Sequence, residues 1–291
     1  MKSFLPFIPG IIVLIIWHSQ AFAAPAESSH GQHHENSHAG HMDMASMEKP
    51  AEPTIRTTIE PSSGISRNRP TTFTVSLKTQ DGKAVTPADL VEMHTQKIHL
   101  LILDPSLDDY HHVHPVPTSM PGTYEFALTP SRSGQYKVFA DLVPKATTQQ
   151  EYSVAEFDVQ GDAGKVTETT NTETRAGGLT FRIKVDSPPI KAGQDNSITM
   201  TVIGADGKPF GKLEPVMGAF AHFVAFSKDR AEVVHLHPMG AEPKDPIERG
   251  GPELKAHLKL SHPGYYRLFA QVQVEGRDLF APFGLLVADH R

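Results

Sequence analysis

The sequence contains no cysteine, and this absence excludes several kinds of site. Disulfide bonds and thiolate metal sites cannot form without cysteine. A blue-copper centre is excluded as well, because such a centre needs a cysteine ligand. Any metal site in this chain must therefore use His, Met, Asp or Glu side chains.

The chain also lacks a basic stripe and a long helical period. Its 291 residues carry a formal net charge of −6, so we expect no nucleic-acid partner. The 22 glycines and 24 prolines favour many turns and short strands over long helices. A chain of this length is typical of about two domains.

The N-terminal apolar stretch, residues 4–17, is too short and too interrupted to predict a membrane span. Lys2 precedes it, and the small-residue pattern "AFA" follows at residues 21–23. This order predicts that residues 1–23 are a cleaved signal peptide. We therefore expect a periplasmic or otherwise extracytoplasmic protein with no stable membrane span after cleavage. An uncleaved anchor is the alternative.

Residues 24–52 contain almost no large aliphatic or aromatic side chain, so they cannot bury enough surface to fold. Thioethers favour Cu(I), whereas imidazoles bind Cu(II), Cu(I) or zinc. The composition predicts a disordered, metal-binding tail whose ion is copper, as Cu(I) or Cu(II), with zinc as the alternative. Its candidate ligands are His30, His33, His34, His38, His41, Met42, Met44 and Met47. A merely solubilising linker is the other interpretation.

From Thr54 onward, short runs of alternating apolar and polar residues are separated by turn signals. Runs such as "TFTVSLKT" and "LTFRIKVD" are typical of half-buried strands. The pattern predicts one β-sandwich at residues 53–160 and another at residues 178–291. Between them, residues 161–177 form a polar linker whose composition favours some freedom of movement.

The two halves of this region are copies of each other. The run "IHLLIL" from Ile98 matches "AHFVAF" from Ala221, and "HVHP" from His112 matches "HLHP" from His235. Each copy holds about seven predicted strands in about 110 residues, which is the rhythm of an immunoglobulin-like β-sandwich. The sequence thus predicts an all-β fold of two tandem sandwiches.

A Gly-x-Tyr step precedes the same strand in both copies and ends at Tyr136 or Tyr266. It resembles a tyrosine corner, in which the hydroxyl group bonds back to the backbone. Alternation along the strand then separates two faces. Phe139 and Asp141 point away from the core. The predicted core residues are Tyr136, Val138, Ala140, Leu142, Tyr266, Leu268, Ala270 and Val272.

Each copy also repeats a pair of histidines two residues apart in a predicted strand. Residues i and i+2 of a strand lie on one face, about 7 Å apart. A third histidine lies in the preceding strand, and three imidazoles suit Cu(II) or Zn(II). The candidate ligands of the two sites are His99, His112, His114, His222, His235 and His237.

The surroundings of the two histidine sets differ. The first copy has His94 and Asp141 as further candidate ligands, with Met93 upstream, whereas the second has Met217 upstream and Gln271 where Asp141 stands. Because a carboxylate can bind the metal or orient a ligand, we expect the first site to be the tighter one. The alternative is that the repeated histidines only shape a turn through bonds to backbone carbonyls.

The tail resembles the His/Met segments of bacterial periplasmic copper-resistance proteins. The segments "KIHLLILD", "HHVHP", "GTYEFAL" and "SGQYKVFADLVP" resemble exported bacterial β-sandwich domains grouped as YtkA-like or cupredoxin-like. The resemblance is closer in the first copy than in the second. It implies an extracytoplasmic, metal-associated module and carries over no catalytic residue.

These observations favour a periplasmic copper-binding protein that acts as a buffer or carrier in metal resistance or cuproprotein assembly. Its partners would be the metal ion and a membrane efflux or cuproenzyme-assembly protein. The alternative is a non-catalytic tandem scaffold or interaction module whose histidines are structural. We do not expect an enzyme, because paired carboxylates, a nucleophile–base signature and a phosphate loop are not recognisable in the sequence.

Overall fold

The computed structural model describes residues 52–290, which form β-strands and a single 3-10 turn at Pro87–Asp89. The predicted signal peptide and the histidines and methionines of the predicted tail lie outside the described residues. Within residues 52–290, no helix is long and apolar enough to cross a bilayer.

The first β-sandwich consists of two four-stranded antiparallel sheets, ordered β1-β2-β6-β5 and β4-β3-β7-β8. Its strands are β1 (Ile55–Pro61), β2 (Thr71–Thr79), β3 (His99–Leu103), β4 (Tyr110–Val113), β5 (Val116–Pro117), β6 (Thr123–Leu128), β7 (Gly134–Leu142) and β8 (Glu151–Val159).

The second β-sandwich has sheets ordered β14-β11-β10-β9 and β13-β12-β15-β16, and it differs from the first in that β9 lies at the opposite sheet edge from β5. Its first strand begins at Glu173, within the stretch 161–177 that the sequence predicts as a linker. The strands are β9 (Glu173–Ala176), β10 (Leu179–Val185), β11 (Asp195–Ile203), β12 (His222–Ser227), β13 (Val233–Leu236), β14 (Glu253–Lys259), β15 (Gly264–Val274) and β16 (Arg277–Val287).

Each sandwich has its own core between its two sheets. All eight predicted core residues of β7 and β15 are buried there, so the alternation of the sequence placed both strands correctly. In the first core, Phe73 stacks on Phe126 with ring centroids 5.0 Å apart. Burying one such side chain stabilises a fold by about 1.5–3 kcal/mol. The prediction of two tandem immunoglobulin-like sandwiches is confirmed.

Both predicted tyrosine corners are also confirmed. The Tyr136 hydroxyl accepts from the Arg132 backbone amide at 3.1 Å, and the Tyr266 hydroxyl oxygen lies 3.1 Å from the His262 carbonyl oxygen. Each contact closes the corner that leads into the long strand β7 or β15. These strands then carry the residues opposite the histidines.

The two sandwiches pack against each other through the outer faces of the β4-β3-β7-β8 and β13-β12-β15-β16 sheets. An aromatic contact crosses this interface, with Tyr110 stacked on Phe269 at 4.7 Å. The linker composition favours freedom of movement, whereas the structure shows the two sandwiches docked through a third apolar cluster. That cluster comprises Leu101, Leu103, Leu107, Tyr110, Phe139, Val224, Phe226, Val233, Tyr265 and Phe269.

Candidate metal centre

The repeated histidines lie on the docked faces, beside the apolar interface cluster. Strands β3 and β12 are buried on both faces, with alternate residues directed to the core and to the interface. His99 and His222 occupy the first position of these strands. The neighbouring strands β4 and β13 pair with them in antiparallel register, which brings the His-x-His pairs to the same end of each sheet.

The first triad consists of His99, His112 and His114. The Nδ1 atom of His99 lies 3.0 Å from Nε2 of His112 and 3.2 Å from Nε2 of His114. His99 and His112 are buried, and His114 is partly exposed. One ring nitrogen from each histidine therefore faces a common point.

The second triad consists of His222, His235 and His237 and repeats this arrangement. The Nδ1 atom of His222 lies 3.3 Å from Nε2 of His235 and 2.7 Å from Nε2 of His237. The same ring atoms are used at the equivalent positions, and again only the third histidine is partly exposed.

Hydrogen bonds on the far side of the rings fix the tautomers of His99 and His112 in the first triad. His99 Nε2 donates to the Met93 carbonyl oxygen at 3.0 Å, and His112 Nδ1 donates to Gln271 Oε1 at 2.9 Å. Gln271 presents its oxygen because its amide nitrogen donates to Asp278 at 3.1 Å. Because these oxygens only accept, the outer nitrogens carry the protons and the inner nitrogens carry lone pairs.

The second triad is fixed in the same way. His222 Nε2 donates to the Val216 carbonyl oxygen at 2.9 Å, and His235 Nδ1 donates to Asp141 Oδ2 at 2.8 Å. The inner nitrogens of His222 and His235 are therefore also unprotonated in the neutral rings.

Converging lone pairs repel each other unless a cation lies between them. Ligand nitrogens about 2.0–2.1 Å from a tetrahedral Zn(II) lie about 3.3–3.4 Å from one another. Nδ1 of His99 or His222 lies 2.7–3.3 Å from the inner nitrogens of its two partners, and the ligand atoms of each triad all lie within 4.8 Å of one another. Each triad could hold a metal ion, and the outer bonds already orient its ligands.

Burial keeps four of these imidazoles neutral. It lowers the pKa of His99 and of His114 to about 4, and it lowers the pKa values of His112 and His222 well below the ordinary histidine value. Metal ions bind the neutral ring, so protons compete weakly with a metal here at neutral pH.

Asp141 does not lie with the first triad, where the sequence predicts it. Asp141 lies opposite His99 in the strand register, yet its carboxylate accepts the hydrogen bond of His235 from the other sandwich. Gln271 lies opposite His222 and accepts from His112. Asp141 thus lies outside the first triad and supports the second one, and each sandwich orients one histidine of the other.

His94 lies between the two triads, with its ring centroid 6.0–6.3 Å from those of His99, His222 and His235. It occupies a tight turn of the first sandwich, where it and Thr95 adopt φ values of 50° and 65°. Its ring packs at a tilt of 31° against His237 of the second sandwich, with centroids 3.4 Å apart. The equivalent turn of the second sandwich has Met217 at this position, with a φ of 49°. Met217 is therefore the structural equivalent of His94, although the sequence comparison placed it opposite Met93.

The remaining histidines of the folded region lie elsewhere. His111 faces away from the first triad and lies 3.1 Å from Asp109. The side chains of His257 and His262 are 50% and 76% exposed, beside Asp195 and Glu232 respectively. The crossing of Asp141 and Gln271 had no recognisable signal in the sequence beyond their equivalent places in the repeat.

Comparison with family models gives one match, described as a domain of unknown function (DUF8832), at residues 53–163 and again at residues 173–289. This agrees with the repeat seen in the structure. No curated protein matches the chain.

Solved structures similar to this chain include the Escherichia coli adhesin FdeC, with 15% identity over 83% of this chain and 66% of the adhesin and a TM-score of 0.27. Two structures of Escherichia coli alpha-2-macroglobulin, activated by trypsin or by porcine elastase, share 12% identity over 81% of this chain, again with TM-scores of 0.27. The chain spans 16% and 31% of those two structures, and less than two thirds of each of the three.

Proposed function

The chain belongs to the DUF8832 family, with two copies of its domain, and we propose that it is an extracytoplasmic copper-binding protein that buffers or carries the metal. The observation that carries this proposal is the double triad, in which unprotonated nitrogens converge while their protons are held on the outer side. A turn-forming role would not need two lone pairs directed at one point.

Copper is favoured over zinc by the ligand chemistry. Sites built from nitrogen ligands bind Cu(II) more strongly than Zn(II) at the same geometry. The three ligands of each triad are imidazoles, which also accept Cu(I). The His/Met-rich composition of residues 24–52 adds thioethers, the soft ligands available in a chain without cysteine. Zinc is the second candidate.

A buffer or carrier fits the burial of the triads. In each triad two ligands are buried and the third, His114 or His237, is partly exposed. The exposed ligand is the natural place for an incoming ligand to compete during transfer. We therefore propose metal exchange at this edge, with an efflux or cuproenzyme-assembly protein as the receiver, and binding without catalysis.

The test compares three full-length proteins titrated with Cu(II) and Zn(II) against a competing chelator. One is unaltered, one carries His114→Ala/His237→Ala, and one carries His257→Ala/His262→Ala. We expect the first variant to bind two equivalents fewer than the unaltered protein and the second variant to bind the same number. Each variant loses two histidines, so general histidine content is matched.

The melting temperature separates triad binding from binding elsewhere in the chain. An ion held in the triads binds only the folded state and raises the melting temperature, so this rise should be lost with His114→Ala/His237→Ala. A scaffold whose histidines are structural would show equal stoichiometry in all three proteins and no shift with metal. That result would refute the proposed function. Melting in the presence of a chelator verifies that each variant folds.

A further inference from the structure

Each sandwich carries a hydrogen-bonded pair of one carboxylate and one amide beside the triads. The inner member of the pair is the one that contacts a histidine. It is the carboxylate in the first sandwich and the amide in the second. In the first sandwich the inner member is Asp141, which accepts from the Gln150 amide at 2.7 Å. In the second sandwich the inner member is Gln271, whose amide donates to Asp278 at 3.1 Å. The strand registers show that the positions correspond, because Asp141 pairs with Tyr152 and Gln271 pairs with Phe280.

The inner member of each pair contacts the histidine of the opposite sandwich. His235 therefore donates to a carboxylate that is only 1% exposed, whereas His112 donates to a neutral amide. The carboxylate of the second pair, Asp278, lies one amide further away and is exposed to solvent. Solvent screens that charge far more than it screens a buried one.

This difference changes the metal affinity of the two triads. A carboxylate that accepts the outer N–H of a ligating imidazole raises the basicity of that ligand, and changing such an outer partner alters metal affinity by about 10–100-fold. The buried negative charge also offsets part of the charge of the bound cation. The amide provides the same orientation to His112 without the charge.

We propose that the two triads are unequal metal sites whose order of filling is set by this exchange. The second triad, supported by Asp141, takes the first equivalent of copper, and the first triad, supported by Gln271, takes the next. Asp141 and Gln271 act as positioning residues across the interface. This inference rests on the proposed function, because it assigns an order to sites that must first bind metal.

The decisive variants exchange the pairs without changing net charge. Gln271→Asp/Asp278→Gln builds the pair of the first sandwich in the second and supplies a buried carboxylate to His112. Asp141→Gln/Gln150→Asp does the reverse and leaves His235 with an amide. Cu(II) titration of the full-length variants, against a chelator, measures the two affinities, while His114→Ala and His237→Ala identify which triad gives each binding step.

We expect the unaltered protein to show two triad affinities about 10–100-fold apart, of which His237→Ala removes the tighter. Gln271→Asp/Asp278→Gln should tighten the weaker step until the two merge, and Asp141→Gln/Gln150→Asp should weaken the tighter step by a similar factor. A gain of affinity cannot result from structural damage. In either variant the first equivalent then divides between the two triads, so its Cu(II) electron paramagnetic resonance spectrum should contain contributions from both.

Two outcomes would overturn the proposal: removal of the tighter step by His114→Ala, or an unchanged separation of the affinities in both exchange variants. Either can occur while both triads still bind copper, so the proposed function would survive. If the unaltered protein and His114→Ala/His237→Ala bind copper identically, the proposed function itself fails. Melting of the metal-free variants shows whether each one remains folded.

Discussion

Single hydroxyl groups hold the corners from which the histidine-facing strands depart. The Tyr136 hydroxyl donates to Asp109 and accepts from the Arg132 backbone amide at 3.1 Å. Asp109 is 8% exposed, so the hydroxyl partly compensates a buried carboxylate. The hydrogen bonds of this one hydroxyl group thus help to fix where β7 begins.

We predict that Tyr136→Phe lowers the free energy of unfolding by about 1–3 kcal/mol, because it leaves a buried charged acceptor with one partner fewer. Chemical denaturation measures the change. Tyr265→Phe is the matched control, since its hydroxyl makes one bond of 3.3 Å, to the Thr169 carbonyl oxygen. An equal loss in both variants would contradict the importance of the corner.

At the scale of elements, the first strand is fastened by a side chain from the last strand of the same sandwich. Glu151 in β8 is 2% exposed and accepts from the backbone amides of Thr54 and Ile55, each at 2.9 Å. These bonds satisfy the carboxylate and join β1 to the opposite sheet. The start of the folded region is therefore held by charge-assisted hydrogen bonds.

We expect Glu151→Gln to loosen β1, because the amide presents one acceptor oxygen where two were used. The predicted cost is about 1–3 kcal/mol, with faster amide hydrogen exchange in β1 than in β7. Glu156→Gln on the same strand is the control, since Glu156 is exposed. Unchanged exchange in β1 would show that its pairing with β2 alone holds it.

The sequence predicted the elements well where their residues follow a local pattern. The alternation in β7 and β15 identified the core face of each strand, and those residues are buried as expected. The same alternation placed Phe139 on the opposite face but could not say what covers it. The start of β9 within the predicted linker was missed, because the segment is polar and four of its residues pair only at a sheet edge.

At the scale of the whole molecule, the interface between the two sandwiches also surrounds the candidate metal centre. The apolar contact of Tyr110, Phe226 and Phe269 lies beside the bonds from His112 to Gln271 and from His235 to Asp141. The centre is assembled from both halves, so anything that loosens the docking should also weaken both metal sites.

We predict that Phe269→Ala, which touches neither triad in the contacts described, lowers stability by about 3–5 kcal/mol through the cavity it leaves. It should also reduce the Cu(II) affinity of both triads, because the crossing bonds depend on the docked position. Calorimetric melting and Cu(II) titration measure the two effects.

Leu286→Ala serves as the control, since Leu286 is 63% exposed and surface changes usually stay within about 0.5 kcal/mol. If Phe269→Ala reduces stability and leaves copper binding intact, each triad is complete within its own sandwich, and the crossing bonds contribute little.

The sequence by itself determined the all-β class, the repeat, the core faces and the three histidines of each triad. These features follow from patterns a few residues long that occur twice, and each triad is drawn from neighbouring strands of one sheet. The export signal and the metal-binding tail remain predictions from the sequence alone.

The tertiary structure decided which histidine donates to Asp141 and which histidine donates to Gln271. Asp141 bonds His235, 94 residues away, and Gln271 bonds His112, 159 residues away. Alternation shows that both residues leave their own core, but it carries no information on which surface meets that face. Burial of two apolar sheet faces against each other set that pairing, and with it the inequality that we propose for the two sites.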